Sequence, residues 1–170
     1  MSAKLSLFNQ IYANYNQMVM QLCLGFVNGD RSRAKDISQE VFISTWNSLD
    51  RFKGESSHKT WLYRITVNTC LKSLRDNKQS KNMSIDVEQR ADLLHHDDST
   101  SHIQESALSA LYSSIGQLPE VDRLIIMMVL DDAEYSQIAD VMGISEVNVR
   151  VKVHRIKQTL KKLMQNEYAD

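Results

Sequence analysis

The spacing of apolar residues predicts three helices in the first half of the chain. Between residues 5 and 26, apolar side chains recur every three or four positions, the period of one helix face. Gly29 and Asp30 end this helix, and a second is predicted to begin near Ser32. A third follows the loop 51–57, where Ser56 or Ser57 can act as its N-cap. The inward positions expected on the second and third helices are Ile37, Val41, Phe42, Thr45, Trp46, Leu49, Leu62, Tyr63, Ile65, Val67, Cys70 and Leu74. Together these helices predict one small domain.

The periodicity stops between residues 79 and 101. This segment, QSKNMSIDVEQRADLLHHDDSTS, is polar, acidic and serine-bearing, which is typical of a linker. Helical spacing returns at Ile103, Ala107, Leu108, Leu111 and Ile115. The chain has only five glycines and one proline, which are too few for the many turns that connect the strands of a sheet. We therefore predict an all-α fold of two small helical domains, residues 1–80 and 102–170, joined by a flexible acidic linker at 81–101.

The second domain has the helix-start and turn signals of a helix-turn-helix. Pro119 lies at the first turn of a helix whose apolar run, LIIMMVL, ends at residues 131–132. A short helix with one apolar face follows, and Gly143 then permits a tight left-handed turn. Ser145 can cap the last helix. Two helices joined by such a turn predict a helix-turn-helix.

The charges are segregated along the chain. Residues 1–81 hold twelve Lys or Arg and six Asp or Glu, whereas residues 82–142 hold two basic and twelve acidic side chains. Residues 145–165 are again basic, with six cations and one acid. Ordinary solvated surface can have this pattern, but two basic blocks also suit contact with a polyanion at two separate places.

Hydropathy and cysteine usage indicate the compartment. The N-terminal residues MSAKLSLFNQ lack a signal-peptide pattern, and no segment approaches the roughly 18 uninterrupted apolar residues of a membrane helix. We expect a cytoplasmic protein with no membrane insertion. Cys23 and Cys70 lack the paired spacing of a metal or dithiol site, so we interpret them as buried apolar residues, with a redox role as the alternative.

The last helix has one apolar stripe and polar side chains on its other faces. Val149, Val153, Ile156, Leu160 and Leu163 form the stripe. Asn148, Arg150, Lys152, His154 and Arg155 are then left for surfaces that can meet purine edges and phosphates in a major groove. Lysines and arginines near a helix C-terminus can instead stabilise the helix dipole. Because Arg150 and Lys152 lie in the first half, where that dipole disfavours cations, DNA contact is the better interpretation.

The loop 51–57 and the start of the third helix, RFKGESSHKTWLYRI, interleave basic and aromatic residues. Basic groups can hold a nucleic-acid backbone, and an aromatic face can stack on an extruded base for about 1–3 kcal/mol. Taken singly, Trp61 suits the core and Phe52 can simply plug the loop. The loop is therefore suited to opened DNA without requiring it.

Three blocks in this order resemble the extracytoplasmic-function group of bacterial RNA polymerase sigma factors. They are D-x-x-Q-E-V-F from residue 36, F-x-G-x-S-x-x-x-T-W-L-Y-R-I from residue 52, and the helix-turn-helix segment YSQIADVMGISEVNVRVKVHRIKQTLKK. The resemblance extends from about residue 8 to residue 164. It implies a transcription initiation factor that binds core RNA polymerase, directs it to promoters and assists promoter melting.

The resemblance also implies roles for individual residues. The first domain binds core polymerase and the minus-10 element, the second binds the minus-35 element, and an anti-sigma factor is an expected partner. Core polymerase would contact Asp36, Gln39, Glu40 and Ile43. Minus-10 DNA would contact Phe52, Lys53, Ser56, Ser57, His58, Lys59, Trp61, Tyr63, Arg64 and Asn68. Minus-35 DNA would contact Asn148, Arg150, Val151, Lys152, His154 and Arg155.

Two departures from the family pattern affect these assignments. His58 replaces the usual aromatic or aliphatic residue before T-W-L, and VNVRVK at residues 147–152 replaces the common G-T-V-K-S-R. The promoter sequence therefore cannot be carried over from the family.

Other classes of function explain fewer features of the sequence than a sigma factor does. Residues 95–98, HHDD, with His102 suggest a metal enzyme, but they lack the fixed spacing of a metal site, and we expect no catalytic residue, cofactor or metal. A sigma-like decoy that sequesters an anti-sigma factor would not need two DNA-facing surfaces. A conventional helix-turn-helix repressor would leave the first domain without a role.

Overall fold

The computed structural model of the protein describes residues 3–83 and 102–167. Within these ranges the chain forms seven α-helices and one short 3₁₀ turn. They are α1 (Ala3–Phe26), α2 (Arg31–Ser48), the 3₁₀ turn (Leu49–Arg51), α3 (His58–Met83), α4 (His102–Gly116), α5 (Glu120–Leu130), α6 (Tyr135–Met142) and α7 (Glu146–Glu167). We call α1–α3 the first region and α4–α7 the second region. The all-helical prediction is confirmed for the part of the chain that the structure describes. None of these helices is long and apolar enough to cross a membrane.

The end of α3 and the start of α4 can be compared with the predicted limits of the linker. Helix α3 continues to Met83, past the predicted limit at residue 80, and α4 begins at His102 as expected. Residues 84–101, which include most of the acidic linker and the HHDD segment at 95–98, lie outside the described residues. The proposed domain limits and the linker's role therefore stay predictions.

The helix starts follow the capping signals in the sequence. The Asp30 carboxylate accepts a hydrogen bond of 3.0 Å from the Arg33 backbone N–H and caps α2. Ser57 Oγ accepts from the Thr60 N–H at 3.1 Å to cap α3, and Ser145 Oγ accepts from the Asn148 N–H at 3.2 Å to cap α7. Gly143 has a φ of 67°, the left-handed conformation expected between the helices of the helix-turn-helix. Local side-chain chemistry thus fixes these boundaries.

Replacing Asp30 with alanine is expected to lower the free energy of unfolding by about 1 kcal/mol. The substitution leaves the first backbone N–H groups of α2 without their side-chain acceptor. Chemical denaturation followed by circular dichroism measures the change. Asp76→Ala removes an exposed carboxylate from the interior of α3 and should shift stability by less than about 0.5 kcal/mol. Equal losses in both variants would contradict a capping role for Asp30.

The first region buries the stripes that its sequence predicted. Leu22, Val41, Leu62 and Val67 are almost completely buried where α1, α2 and α3 meet. Cys23 and Cys70 are also fully buried and unbridged. A hydrogen bond with Cys23, together with burial, raises the pKa of the Cys70 thiol far above its ordinary value. The thiolate that redox chemistry requires is therefore suppressed, which agrees with a structural role.

The second region packs α7 across the preceding helices. Leu124, Ile125, Met128 and Ile138 from α5 and α6 are buried. The stripe of α7 is also buried at Val149, Val153, Ile156 and Leu160, while Leu163 is half-buried. The short helix α6 and α7 form the predicted helix-turn-helix, which is anchored on the apolar run of α5.

The two regions pack directly against each other. Helix α1 contacts α4 and α5, and α3 contacts α6, so that a single cluster of buried residues spans both regions. Gly25 lies so close to the Met127 side chain that a Cβ at this position would clash. Arg123 donates to the Phe26 carbonyl at 3.0 Å, across the boundary between the regions. The sequence predicted a tether between these regions but gave no signal for this contact.

Candidate nucleic-acid and polymerase interfaces

An aromatic cluster lies where the loop before α3 meets the first turns of that helix. The Phe52 ring lies 4.8 Å from the Trp61 ring and 4.9 Å from the His58 ring, centroid to centroid. All three side chains are half-buried. Trp61 packs against the hydrophobic core, as expected, and it also contacts Phe52, so that the three rings form one partly exposed cluster. His58, which departs from the family pattern, supplies a third ring here.

The polar minus-10 candidates are distributed around this cluster. Lys53 and Ser57 are exposed and Ser56 is half-buried in the loop, where Gly54 has a φ of 73°. Ser57 is also the N-cap of α3, so its hydroxyl has a structural task. Asn68 is exposed further along α3. The loop residues form a contiguous group, whereas Asn68 lies about two turns of α3 beyond Trp61.

Three further minus-10 candidates on α3 face the second region. Lys59 Nζ lies 2.9 Å from Asp131 Oδ2 and also donates to the Asp131 carbonyl at 3.3 Å. The Tyr63 hydroxyl donates to the same Asp131 carboxylate, and the Arg64 guanidinium pairs with Asp140. Burial and the hydrogen bond to Asp131 raise the pKa of Tyr63 well above its ordinary value, so the phenol stays protonated and donates. Tyr63 has no exposed surface.

The acids that meet these side chains were not among the predicted site residues. In the sequence Asp131 marks only a helix end, and no motif includes Asp140 or Gln137 as a site residue. Gln137 Nε2 donates to Thr60 Oγ1 at 2.7 Å and adds a further link between α3 and α6. The only sequence signal was the acidic composition of residues 82–142 opposite the basic first region.

The four polymerase-contact candidates lie along one edge of α2. Asp36, Gln39 and Ile43 are exposed, and Ile43 shows 61% of its surface to solvent. Glu40 is half-buried and accepts a hydrogen bond of 3.1 Å from Lys72 of α3. The edge therefore presents a large apolar side chain between polar groups, and one of its acids is already paired within the protein.

An aromatic groove between α1 and α2 adjoins this edge. Gln39 and Ile43 line it together with aromatic side chains from both helices. Tyr12 and Phe42 approach with centroids 4.7 Å apart, and Phe8 meets Trp46 edge-on at 5.3 Å. The sequence placed these rings in the core stripes. Tyr12 is nevertheless exposed, and Phe8 and Trp46 are only half-buried.

Helix α7 presents its predicted DNA-contact residues on the face away from the core. Asn148, Arg150, Val151, His154 and Arg155 are all exposed. Val149, between two of them, is fully buried and fixes the rotation of the helix. The helix therefore offers amide, imidazole, guanidinium and methyl groups on one outer surface.

Two cations of α7 already have partners inside the second region. Arg150 donates to Glu146 at 2.6 Å, and its guanidinium lies 5.5 Å from the centre of the Tyr135 ring. Lys152 Nζ pairs with Asp122 of α5 at 3.1 Å. Arg150 remains largely exposed, with 63% of its side-chain surface accessible. Lys152 instead tilts toward α5, at the flank of the surface that the sequence predicted for it.

The described residues contain no group of three or more His, Cys, Asp or Glu side chains able to hold a metal ion. The HHDD segment proposed as a rival metal site lies outside them.

Comparisons with known proteins match both regions. Sigma-70 region 2 matches residues 11–80, and Sigma-70 region 4 matches residues 108–160. The ECF RNA polymerase sigma-E factor of Escherichia coli K12 is 30% identical over 171 residues, covering 90% of this chain and 84% of that protein. The RNA polymerase sigma-H factor of Pseudomonas aeruginosa is 28% identical over 167 residues, covering 93% of this chain and 86% of that protein.

Two solved structures share the fold. The sigma factor RpoE in complex with the anti-sigma factor NepR from Bartonella quintana superposes with a TM-score of 0.78 at 19% identity, covering 93% of this chain and 96% of that one. CnrH in complex with the cytosolic domain of CnrY superposes with a TM-score of 0.68 at 20% identity, covering 94% of this chain and 88% of that one. At these identities the superpositions show a common architecture.

Proposed function

The chain belongs to the extracytoplasmic-function group of sigma-70 RNA polymerase sigma factors. We propose that it uses three separate surfaces in transcription initiation, one for each of two promoter elements and one for core polymerase. The family binds core RNA polymerase and promoter DNA. The main support for promoter binding comes from the outer face of α7. Val149, Val153 and Ile156 are buried, so Asn148 and Arg155 are directed outward on a helix-turn-helix. A helix of this kind fits the major groove, where amides and guanidinium groups meet base edges. We assign this surface to the minus-35 element.

The first region would bind the minus-10 element through its aromatic loop. Opened DNA offers unstacked bases and a phosphate backbone, and the loop offers partly exposed rings beside the exposed Lys53. Phe52 and Trp61 already form one platform, which limits the side-chain ordering needed to receive a base.

The edge of α2 would dock on core polymerase. Exposed Ile43 beside the aromatic groove supplies apolar surface, and Asp36 and Gln39 supply polar contacts at its border. An apolar centre with a polar rim is the usual anatomy of a protein interface. Glu40 would contribute less directly, since Lys72 already engages it.

An anti-sigma factor is the further partner we propose. Both structural neighbours were solved in complexes, one with an anti-sigma factor and one with the cytosolic domain of CnrY. The observation that supports such a partner for this chain is the shared architecture, in which two helical regions pack around one core.

Reconstituted transcription tests the proposed function. The protein, core RNA polymerase and a pool of genomic promoters are expected to give transcripts from a specific subset. Replacing Asn148 and Arg155 together with alanine should reduce those transcripts about tenfold or more, while holoenzyme assembly is retained. A matched control, Lys162→Ala with Gln165→Ala, removes an exposed cation and an exposed amide from the last turns of α7 and should transcribe normally.

The same experiment separates this function from that of a decoy. A sigma-like decoy would yield no specific transcript from any promoter in the pool. Equal transcript loss in the two paired variants would instead show that the outer face of α7 was wrongly assigned.

A further inference from the structure

Two exposed valines lie at the centre of the outer face of α7. Val147 exposes 68% of its surface and Val151 exposes 43%. At about 100° per residue, both lie roughly 160° around the helix from the centre of the buried stripe. The two valines are four positions apart, so their side chains are neighbours on the helix surface. The part of α7 farthest from the core is therefore apolar.

Stability of the fold does not account for these two side chains. Among the described residues, neither Val147 nor Val151 belongs to the core cluster. Valine also has a lower helix propensity than alanine, lysine or glutamine, because its branched side chain loses rotamer freedom in a helix. A single exposed apolar residue is ordinary. Here two adjoin each other in the first two turns of one helix, on the surface proposed for the minus-35 element.

Polar side chains border the valines on both sides. Asn148 and Arg155 are exposed on one flank, and Arg150 and His154 are exposed on the other. The major groove of DNA has the matching arrangement, because thymine methyl groups lie among the base-edge donors and acceptors and phosphates line the walls of the groove. Guanidinium groups on both flanks therefore favour duplex DNA over an apolar protein surface as the occupant of this face.

We propose that Val147 and Val151 are specificity-determining residues that read thymine methyl groups in the minus-35 element. The inference rests on the proposed minus-35 assignment of the outer face of α7. A valine against the C5-methyl group of thymine removes apolar surface of both groups from water. Cytosine offers an amino donor there instead, which valine cannot accept. Each contact therefore favours a T·A pair over a C·G pair.

The two valines also mark where this chain differs from the common family sequence. Val147 stands at the glycine of G-T-V-K-S-R and Val151 stands at its serine. A glycine has no side chain and a serine ends in a hydroxyl group, so neither supplies the methyl groups that valine does. The thymine preference would therefore distinguish this chain from relatives that carry the common sequence.

Replacing thymine with uracil in the promoter tests methyl reading. Deoxyuridine lacks only the C5-methyl group and keeps the Watson–Crick edge of thymine. The probe is a promoter fragment recovered by transcription from the genomic pool, with every thymine of its minus-35 segment replaced by deoxyuridine on both strands. Holoenzyme with the original chain is expected to bind the thymine fragment about fivefold to tenfold more tightly, as measured by competition at fixed salt. Equal affinity for the two fragments would overturn the proposal.

A serine variant tests whether the two valines make the methyl contact. Val147→Ser/Val151→Ser replaces both isopropyl groups, and serine has about the same helix propensity as valine. Its holoenzyme should bind both fragments equally, because the side chains that distinguish them are gone. Comparing the four combinations of chain and fragment cancels any direct effect of uracil on the duplex. Val121→Ser, at an exposed valine of α5, is the control and should keep the original preference for thymine.

The Asn148→Ala/Arg155→Ala variant distinguishes failure of this inference from failure of the proposed function. If it binds the thymine fragment more weakly while the original chain shows no thymine preference, α7 contacts the minus-35 element and only methyl reading is excluded. If it binds as the original chain does and no thymine preference exists, the minus-35 assignment is wrong and the proposal falls with it. An undiminished thymine preference in Val147→Ser/Val151→Ser would show that other side chains read the methyl groups, which also overturns the proposal.

Discussion

Replacing Ile43 with aspartate is expected to weaken binding to core RNA polymerase by about tenfold or more. The side chain is 61% exposed beside the aromatic groove, so the fold loses little apolar burial. At a docked interface the same position would become covered, and a buried unpaired carboxylate there is strongly unfavourable. Titration of labelled protein with core polymerase measures the affinity. Gln39→Ala, one turn away on the same edge, should show a smaller loss with little effect on folding.

Val121→Asp is the matched control for Ile43→Asp. Val121 is also an exposed β-branched apolar residue, but it lies on α5, away from the α2 edge. Its substitution should leave polymerase affinity within about twofold of the original value. Normal polymerase binding by Ile43→Asp would mean that this edge of α2 is not the docking surface.

Replacing Arg150 with alanine is expected to weaken promoter complexes of the holoenzyme by about tenfold to a hundredfold. A good arginine contact with a base edge contributes about 1–3 kcal/mol of discrimination, and each 1.4 kcal/mol corresponds to a tenfold change in affinity. The guanidinium is exposed near the start of α7, where a recognition helix meets base edges. Mobility-shift or footprinting titrations at fixed salt measure the effect.

Glu146→Ala separates DNA contact from internal stabilisation. Both substitutions remove the Arg150–Glu146 ion pair, but only Arg150→Ala removes the cation. Glu146→Ala should bind promoters at least as well as the original chain, because it frees the guanidinium and deletes a negative charge. Similar losses in both variants would indicate that the pair merely stabilises the first turn of α7 and that Arg150 does not contact DNA.

The fold was largely predictable because its signals are local. Apolar spacing located the helices, and short-range caps at Asp30, Ser57 and Ser145 fixed where three of them begin. Gly143 supplied the left-handed turn. The end of α3 was less predictable, since the helix runs on to Met83 through polar residues that lack an apolar stripe. The polar end of a helix has no apolar stripe, so a prediction from apolar spacing alone places the end of the helix too early.

The sites were predictable to different degrees. On α7 the buried stripe determines the outer face by geometry, and most of its candidates are exposed as expected. Lys152 differs because Asp122, thirty positions earlier, lies within reach of its ammonium group. The aromatic groove escaped prediction, since apolar spacing cannot tell a residue in the core from one lining an open groove.

The amino-acid sequence by itself determined the helices, their caps, the outer face of α7 and the family. These depend on interactions within a few residues or on the order of short motifs. Only the tertiary structure decided that Lys59, Tyr63 and Arg64 meet Asp131 and Asp140, whose positions lie about seventy residues away. Such pairs depend on how α1 packs against α5, and the steric fit of Gly25 to Met127 that permits it has no local signature in the sequence.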